Sequence, residues 1–328
     1  MNNKLLISGV LGLGTCMIYT PIHAGEAQAQ SKPNVLIIYT DDMGAGDVSF
    51  LNNGWVKTPN IDKLASGGLI VTNYYSSSPV SSPSRVGLTT GRFPTEMGIN
   101  CYLQTRKGNA ACEQFDYLDA SVPTMAKVMK SAGYTTGHFG KWHMGGGRDV
   151  IDAPQITEYG FDEYISTWES PNPDPVITDS AWIWSRTDQV KRWDRTAYFV
   201  DKTLDFLKRH KGEPCFVNLW PDDMHTPWVP SQKTMDSERT SWTTPPNFKE
   251  VLTEYDKQIG RLMEGLTKLG LEKNTIVIFT SDNGPAPSFQ QMRTNSLLGV
   301  KCSLYEGGIR MPFAIHWPEK IKAGGIND

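Results

Sequence analysis

The stretch with the most chemistry is Ser81-Ser82-Pro83-Ser84-Arg85-Val86-Gly87-Leu88-Thr89-Thr90-Gly91-Arg92. An apolar run, Leu69-Ile70-Val71-Thr72, precedes it and breaks into Ser76-Ser77-Ser78-Pro79. Pro83 suits the first turn of a helix, where its missing N–H costs nothing. The pattern predicts Ser81 at or just before a helix N-terminus, at the end of a strand. Unpaired backbone N–H groups there favour an anion or a developing negative charge. Arg85, one turn on, adds a fixed positive charge. A hydroxyl so placed is a candidate nucleophile. Taken alone, the segment reads more simply as an N-cap serine.

Other polar groups also follow apolar runs. Asn34–Thr40 has the pattern of a buried strand and ends in Asp41-Asp42-Met43-Gly44-Ala45-Gly46-Asp47. Adjacent acids at such a strand end suit Ca2+ or Mg2+, or form a solvated acidic turn. Tyr134–Phe139 runs into Gly140-Lys141-Trp142-His143, where the alternation of Lys141 and His143 on extended backbone aims both to one side. Pro214–Trp220 leads to Asp222-Asp223-Met224-His225, and Thr275–Thr280 leads to Ser281-Asp282-Asn283-Gly284. Lys301 precedes Tyr305-Glu306-Gly307-Gly308-Ile309-Arg310. In a parallel sheet all strand C-termini lie on one edge, so these groups can converge. Each has a bland explanation, but together they describe a metal cradle of carboxylates and an amide beside a serine ringed by cations and imidazoles. That is a site for a bound oxyanion ester.

The elements needed to carry them are legible. Thr58 to Gly68 predicts a short helix capped by Thr58, opened by Pro59 and closed by Gly67. Ser121 to Ala132 predicts a helix with Met125, Val128 and Met129 inward. Arg195 to Arg209 is amphipathic, with Val200, Leu204 and Leu207 on one face. Glu250 to Leu269 is a long helix with Leu252, Tyr255, Ile259, Leu262, Leu266 and Leu269 as a core stripe. Residues 146–190 read as a long irregular functional loop region.

The 328 residues, 39% hydrophobic and 20% charged, suffice for one large α/β domain or two smaller ones. The net charge of -3 and the lack of any Lys/Arg-rich run argue against nucleic-acid binding. Lys4, the apolar stretch Leu5 to Thr20, and small residues around Ala24 and Gly25 read as a secretory signal over residues 1–24. Gly9, Gly12, Gly14 and the short length disfavour a membrane anchor. The expectation is an exported protein, periplasmic or at the cell surface, touching membrane only through that signal. Its catalytic domain then covers residues 31–328. Export permits disulfides, with Cys101 and Cys112 the plausible local pair and Cys215 a buried thiol. The absence of a CxxC pair speaks against a zinc–thiolate site.

Over roughly residues 33 to 318 these motifs, in this order, resemble the type I, formylglycine-dependent sulfatases of the alkaline phosphatase superfamily. The carrying signature is Ser81 to Arg92, in which a Cys or Ser, then any residue, is followed by Pro-Ser-Arg, and the stretch ends in Thr-Gly-Arg. The resemblance implies an α/β/α sandwich with a mostly parallel central sheet. It implies one Ca2+ held by Asp41, Asp42, Asp282, Asn283 and the residue at position 81. It implies oxidation of Ser81 to formylglycine by a radical S-adenosylmethionine maturase, since the residue is Ser and not Cys. Arg85 and His143 would serve the aldehyde hydrate, Lys141 and Lys301 would bind sulfate, and His225 would protonate the leaving alcohol. One hydroxyl of the hydrate would displace that alcohol and the other would expel sulfate, which a plain serine cannot do. The implied substrate is a sulfated carbohydrate, with aryl sulfates as surrogates. The chain ends at Asp328, before the smaller C-terminal subdomain that family members carry, and Ala45 stands where the family often has a bulkier residue. Two rival readings remain: a phosphatase, phosphodiesterase or phosphonate hydrolase using unmodified Ser81, and an inactive protein that binds sulfated sugars.

Overall fold

Alternation within the apolar runs sorts their side chains to two faces. In β1 (Asn34–Thr40), Leu36 and Ile38 join one core cluster while Ile37 and Tyr39 join another. A computed structural model describes residues 32–328 apart from residues 53, 179–182 and 237–242; the expected signal at residues 1–24 lies outside the described residues. Lys32–Asp328 form one compact unit.

After β1 come α1 (Pro59–Ser66), β2 (Leu69–Val71), β3 (Tyr74–Tyr75), α2 (Ser81–Thr90), α3 (Arg106–Ala111), α4 (Met125–Ser131), β4 (Thr135–Gly140) and β5 (Glu163–Ser166). Then follow α5 (Arg195–Arg209), β6 (Cys215–Trp220), α6 (Gln232–Asp236), α7 (Pro245–Leu269), β7 (Thr275–Ser281), α8 (Glu306–Ile309), β8 (Arg310–Met311), β9 (Ala314–His316) and β10 (Gly325–Asn327). Among the described residues one sheet has eight strands in the order β10-β2-β9-β7-β1-β6-β4-β5. Only β9 runs against its neighbours; the other pairs are parallel. Helices α1, α5 and α7 cover one face through Ile61, Leu64, Phe199, Val200, Leu252, Ile259 and Leu262. Val86 of α2 and Ala126 of α4 pack on the other, with Trp142, Tyr159 and Phe161. This is the expected α/β/α sandwich.

The differences have local causes. Helix α4 begins only at Met125, where Thr124 Oγ1 accepts a hydrogen bond from Lys127 N. Met125 and Met129 pack half-buried against the core as expected, but the fully buried residue is Ala126, and Val128 is 58% exposed. Two residues along a helix turn the side chain by about 200°, so Val128 lies opposite Ala126. Strand β5 lies inside the stretch read as irregular, paired with β4 from Gly137↔Glu163 to Gly140↔Ser166. Four residues are too few to establish a period. Thr58 occupies the N-cap position of α1 as expected, but its side chain makes no capping bond; its hydroxyl donates to Asp62 Oδ1 at 3.1 Å. The helix start is held by Asp256 of α7, which accepts from Asn60 N at 3.1 Å and Ile61 N at 2.9 Å. Cys101, Cys112 and Cys215 are free thiols, so the local pair is not bridged; Cys215 is buried as expected.

Candidate active site

Strands β1 and β7 run in step, from Asn34↔Thr275 to Thr40↔Ser281, so Asp41 and Asp282 leave the sheet side by side. Asp282 N then donates to Thr40 O at 3.1 Å. The chain turns at Asp42, which adopts a left-handed φ of 56°. Its backbone N–H donates to Asp282 Oδ1 at 3.0 Å. Carboxylate oxygens of Asp41, Asp42 and Asp282 lie within 4.8 Å of one another, all buried. The glycines after them let this loop press on the segment before Thr294. A Cβ on Gly44 would come 2.1 Å from Arg293 O, and one on Gly46 1.9 Å from Met292 O.

Ser81 is the first residue of α2, and Val80 occupies the N-cap position without a side-chain cap. The Ser81 hydroxyl reaches the acids instead, 3.0 Å from Asp41 Oδ1 and 3.1 Å from Asn283 Oδ1. One proton is shared among three crowded oxygens, an arrangement that a cation relieves. With three buried carboxylates around it, this hard-oxygen set fits a divalent cation of the Ca2+ kind. Asn283 Nδ2 donates to Asp42 Oδ1 at 2.7 Å, which fixes the amide's orientation.

The cations surround the acids. Arg85 is fully buried between Tyr39 and Trp220, its guanidinium 5.5 Å and 5.2 Å from their ring centroids. It donates to Asp282 at 2.8 Å and to Asp41 at 3.3 Å. The structure thus sets Arg85 on the carboxylates that frame Ser81. Lys141 Nζ reaches Asp41 Oδ2 at 2.9 Å, and Lys301 Nζ reaches Asp42 at 2.6 and 2.8 Å. His225 Nε2 lies 3.7 Å from Asp42 Oδ2, while its Nδ1 sits 2.6 Å from Thr226 O. His143 does not share a strand face with Lys141. Strand β4 ends at Gly140, and His143 turns with a left-handed φ of 52°. It still reaches the site, through Glu169: Oε1 is 3.4 Å from His143 Nε2 and Oε2 is 3.5 Å from Lys141 Nζ. Asp41, Asp42, Ser81, Arg85, Lys141, His143, His225, Asp282, Asn283 and Lys301 are therefore linked in one network.

Charge and burial compete here. Burial alone would lift Asp41 and Asp42, but Lys141 and His225 for the first, and Lys301 and His225 for the second, hold both below the usual range. Burial, then the charge of Asp41, lifts Asp282 to about 7 despite Arg85. Burial would lower Lys141 and Lys301; Asp41 on the one and Asp42 on the other keep both raised and charged. Burial pushes His143 down to about 3 and also lowers His225, helped there by Lys301.

Three supporting groups carried no sequence signal. Glu169 follows β5 in the region read as loop. Arg293 sits in a polar stretch and pairs with Asp47 (Nη2 to Oδ2, 2.8 Å), while the same nitrogen donates to Asp42 O at 2.7 Å. Arg192 donates to Asp222 and to the carbonyl of His225 at 3.1 Å, tying down the histidine's loop. A long-range ion pair leaves no periodicity to read.

A sequence profile described as Sulfatase matches residues 33–328. The chain belongs to the sulfatase family. It is 29% identical to a sulfatase of Bacteroides thetaiotaomicron, N-acetylgalactosamine-6-O-sulfatase, over 97% of this chain and 73% of that protein. It is 30% identical to the N-acetylgalactosamine-6-sulfatase of Homo sapiens over 92% of this chain and 60% of that one. The chain thus spans about three fifths of the human enzyme's length. Among solved structures, Ps i-CgsB in complex with k-i-k-neocarrahexaose superposes with a TM-score of 0.72 at 26% identity, covering 90% of this chain and 68% of that one.

Proposed function

We propose that the chain removes sulfate from a sulfated carbohydrate by ester hydrolysis, in a site matured at Ser81. The observation that carries this reading is the placement of Ser81 Oγ at the N-terminus of α2, 3.0 Å from Asp41, within the ring of Arg85, Lys141, Lys301 and His225. The names of the similar proteins support the sulfated-sugar class: two are N-acetylgalactosamine-6-sulfatases, and one was solved with an oligosaccharide. The Ser81 hydroxyl stands where one oxygen of a formylglycine hydrate would stand.

Asp41, Asp42, Asp282, Asn283 and the position-81 oxygen would hold Ca2+, which would polarise the bound sulfuryl oxygens. Formylglycine, formed from Ser81 by the radical S-adenosylmethionine maturase, would supply two geminal hydroxyls for attack and release. The chain's own residues do the rest. Lys141 and Lys301, now paired with Asp41 and Asp42, provide mobile positive charge for an oxyanion. Arg85 and the α2 N-terminus fix the charge around position 81. His225 holds Nδ1 toward Thr226 O, which can only accept, so Nδ1 carries the proton of the neutral ring; Nε2 faces Asp42, and when it carries the second proton of the imidazolium it can deliver that proton to the leaving oxygen.

The test is mass spectrometry of the Ser81 peptide from protein exported by a host with the maturase, with sulfate release assayed on position-defined sulfated saccharides. Conversion removes about two hydrogens from Ser81. A peptide of unshifted mass together with faster turnover of phosphate esters than of sulfate esters refutes the reading in favour of a phosphatase. Binding of sulfated sugar without turnover in fully converted protein refutes it in favour of an inactive binding protein.

A further inference from the structure

Glu169 belongs to none of the motifs that define the site, yet its carboxylate lies inside it. The residue is only 9% exposed. Oε1 is 3.4 Å from His143 Nε2 and 3.3 Å from Arg148 Nη2, and Oε2 is 3.5 Å from Lys141 Nζ. Its backbone carbonyl also accepts a hydrogen bond from His143 N at 3.0 Å. The imidazole is thus held at ring and backbone by one residue. A second acceptor faces the same ring nitrogen: Leu103 O lies 3.1 Å from His143 Nε2. Leu103 is itself pinned, its N–H donating to Ser82 Oγ at 2.9 Å in the first turn of α2.

A peptide carbonyl can only accept a hydrogen bond, and an ionised carboxylate can only accept one. Both face Nε2, so the proton of the neutral ring belongs on Nε2. Nδ1 then carries a lone pair, and Nδ1 is buried with no hydrogen-bond partner. Buried polar atoms without partners are uncommon and call for an explanation, a catalytic role being one of those they have. We infer that Glu169 is a positioning residue: with Leu103 O it fixes His143 as the Nε2–H tautomer, so that Nδ1 is the site's proton acceptor. When Nδ1 takes a proton from a hydroxyl of the reacting group, the O–H bond breaks, the N–H bond forms and the oxygen keeps the electron pair. The ring becomes a cation, and Glu169 is its counter-charge. Burial holds the resting ring neutral, with a pKa of about 3. Burial would raise Glu169, but His143 and Lys141 keep it below the usual range and ionised. Lys141 and Arg85 oppose a charge on His143, whereas the Glu169 carboxylate, and after it the Leu103 carbonyl, favour the protonated ring. The inference rests on the hydrolase reading for the source of the proton, and on geometry alone for the tautomer.

Two measurements on the full, matured chain test it. Nitrogen-15 spectra of histidine-labelled protein, with the His143 signals assigned by their loss in His143→Asn, should show a protonated Nε2 and a bare Nδ1 at neutral pH. Steady-state kinetics of Glu169→Gln and Glu169→Ala, corrected for formylglycine content by peptide mass, should show kcat down roughly tenfold or more. KM should change less than kcat, because the group acts mainly through His143 and touches Lys141, the proposed sulfate ligand, only as a flanking ion pair at 3.5 Å. A proton on Nδ1 in the wild-type spectrum overturns the inference, whether or not the variants fold. So does an unchanged kcat, or a rise in KM with kcat intact. If the wild-type protein turns over no sulfate ester, the hydrolase reading fails while the spectrum still decides the tautomer.

Discussion

Replacing Arg293 with Met should destabilise the chain and loosen the acidic loop together. Arg293 and Asp47 are each at most 1% exposed in their side chains, and the pair is bidentate, with Nε 3.1 Å from both carboxylate oxygens. The guanidinium lies 4.3 Å from the Phe248 ring centroid and 5.2 Å from that of Trp228. Met conserves much of the volume and the apolar contact, so the loss is mainly electrostatic. Removing one partner of a buried pair leaves an uncompensated charge, at about 3–5 kcal/mol. For a chain of this size that corresponds to a fall in Tm of roughly 5–15 °C. The pH dependence carries the diagnosis. Burial already lifts Asp47 above its ordinary value with Arg293 present, and it must rise further without it. A carboxyl whose folded pKa exceeds its unfolded one costs nothing while protonated in both states. It costs progressively more as pH rises from the unfolded pKa through the folded one. The deficit of the variant relative to wild type should therefore be small near pH 5 and largest at pH 7–8. Differential scanning calorimetry of both proteins across that range measures it. Adding Asp47→Asn to Arg293→Met should recover part of the loss at neutral pH. A deficit that is flat with pH, or a midpoint within about 1 °C of wild type, would falsify the claim that Asp47 is left as a stranded charge.

Chelation of divalent cations should abolish sulfate-ester turnover, and added Ca2+ should restore it; full turnover in metal-stripped protein, with the metal content measured, removes the acids from the mechanism. His225→Ala should lower kcat by about 10²–10⁴ on esters with poor leaving groups, and less on activated aryl sulfates, which need less help from a general acid; equal losses on both would contradict the proton-delivery role. Asp256→Ala removes the acceptor for Asn60 N and Ile61 N at the start of α1 and should cost about 1–2 kcal/mol of stability without changing KM; urea midpoints and steady-state kinetics check the two halves of that statement.

How far the sequence reached follows from what each feature depends on. The buried strands were legible because a parallel sheet covered on both faces needs continuous apolar runs, and Asn34–Thr40 and Thr275–Thr280 are such runs. The long stripe from Leu252 to Leu266 was legible for the complementary reason, a single period sustained over many turns. Strand β5 was not, since its four residues at the sheet edge carry no period of their own and exist through pairing with β4. Val128 was misjudged because a seven-residue helix admits more than one apolar face, and packing through Ala126, Met125 and Met129 leaves Val128 outside.

The site divides along the same line. Asp41, Asp42, Ser81, Lys141, His225, Asp282 and Asn283 sit at or just beyond strand ends or at a helix start, positions that local sequence marks. Glu169, Arg293 and Arg192 are known only by what they touch: a histidine and a lysine, an aspartate pair, a loop carbonyl. Their common effect is to hold backbone or imidazole in conformations the chain would not otherwise keep. Asp42 and His143 both take left-handed φ values, and each is gripped there by one of these groups, Asp42 through Arg293 and His143 through Glu169. Left-handed backbone is uncommon outside glycine and needs its surroundings to impose it. The acids and bases that could do chemistry were thus written locally, whereas the conformations that aim them were set by partners distant in sequence. For that reason a chain carrying every motif but lacking Glu169 or Arg293 would read the same from its sequence and should hold its charges less well.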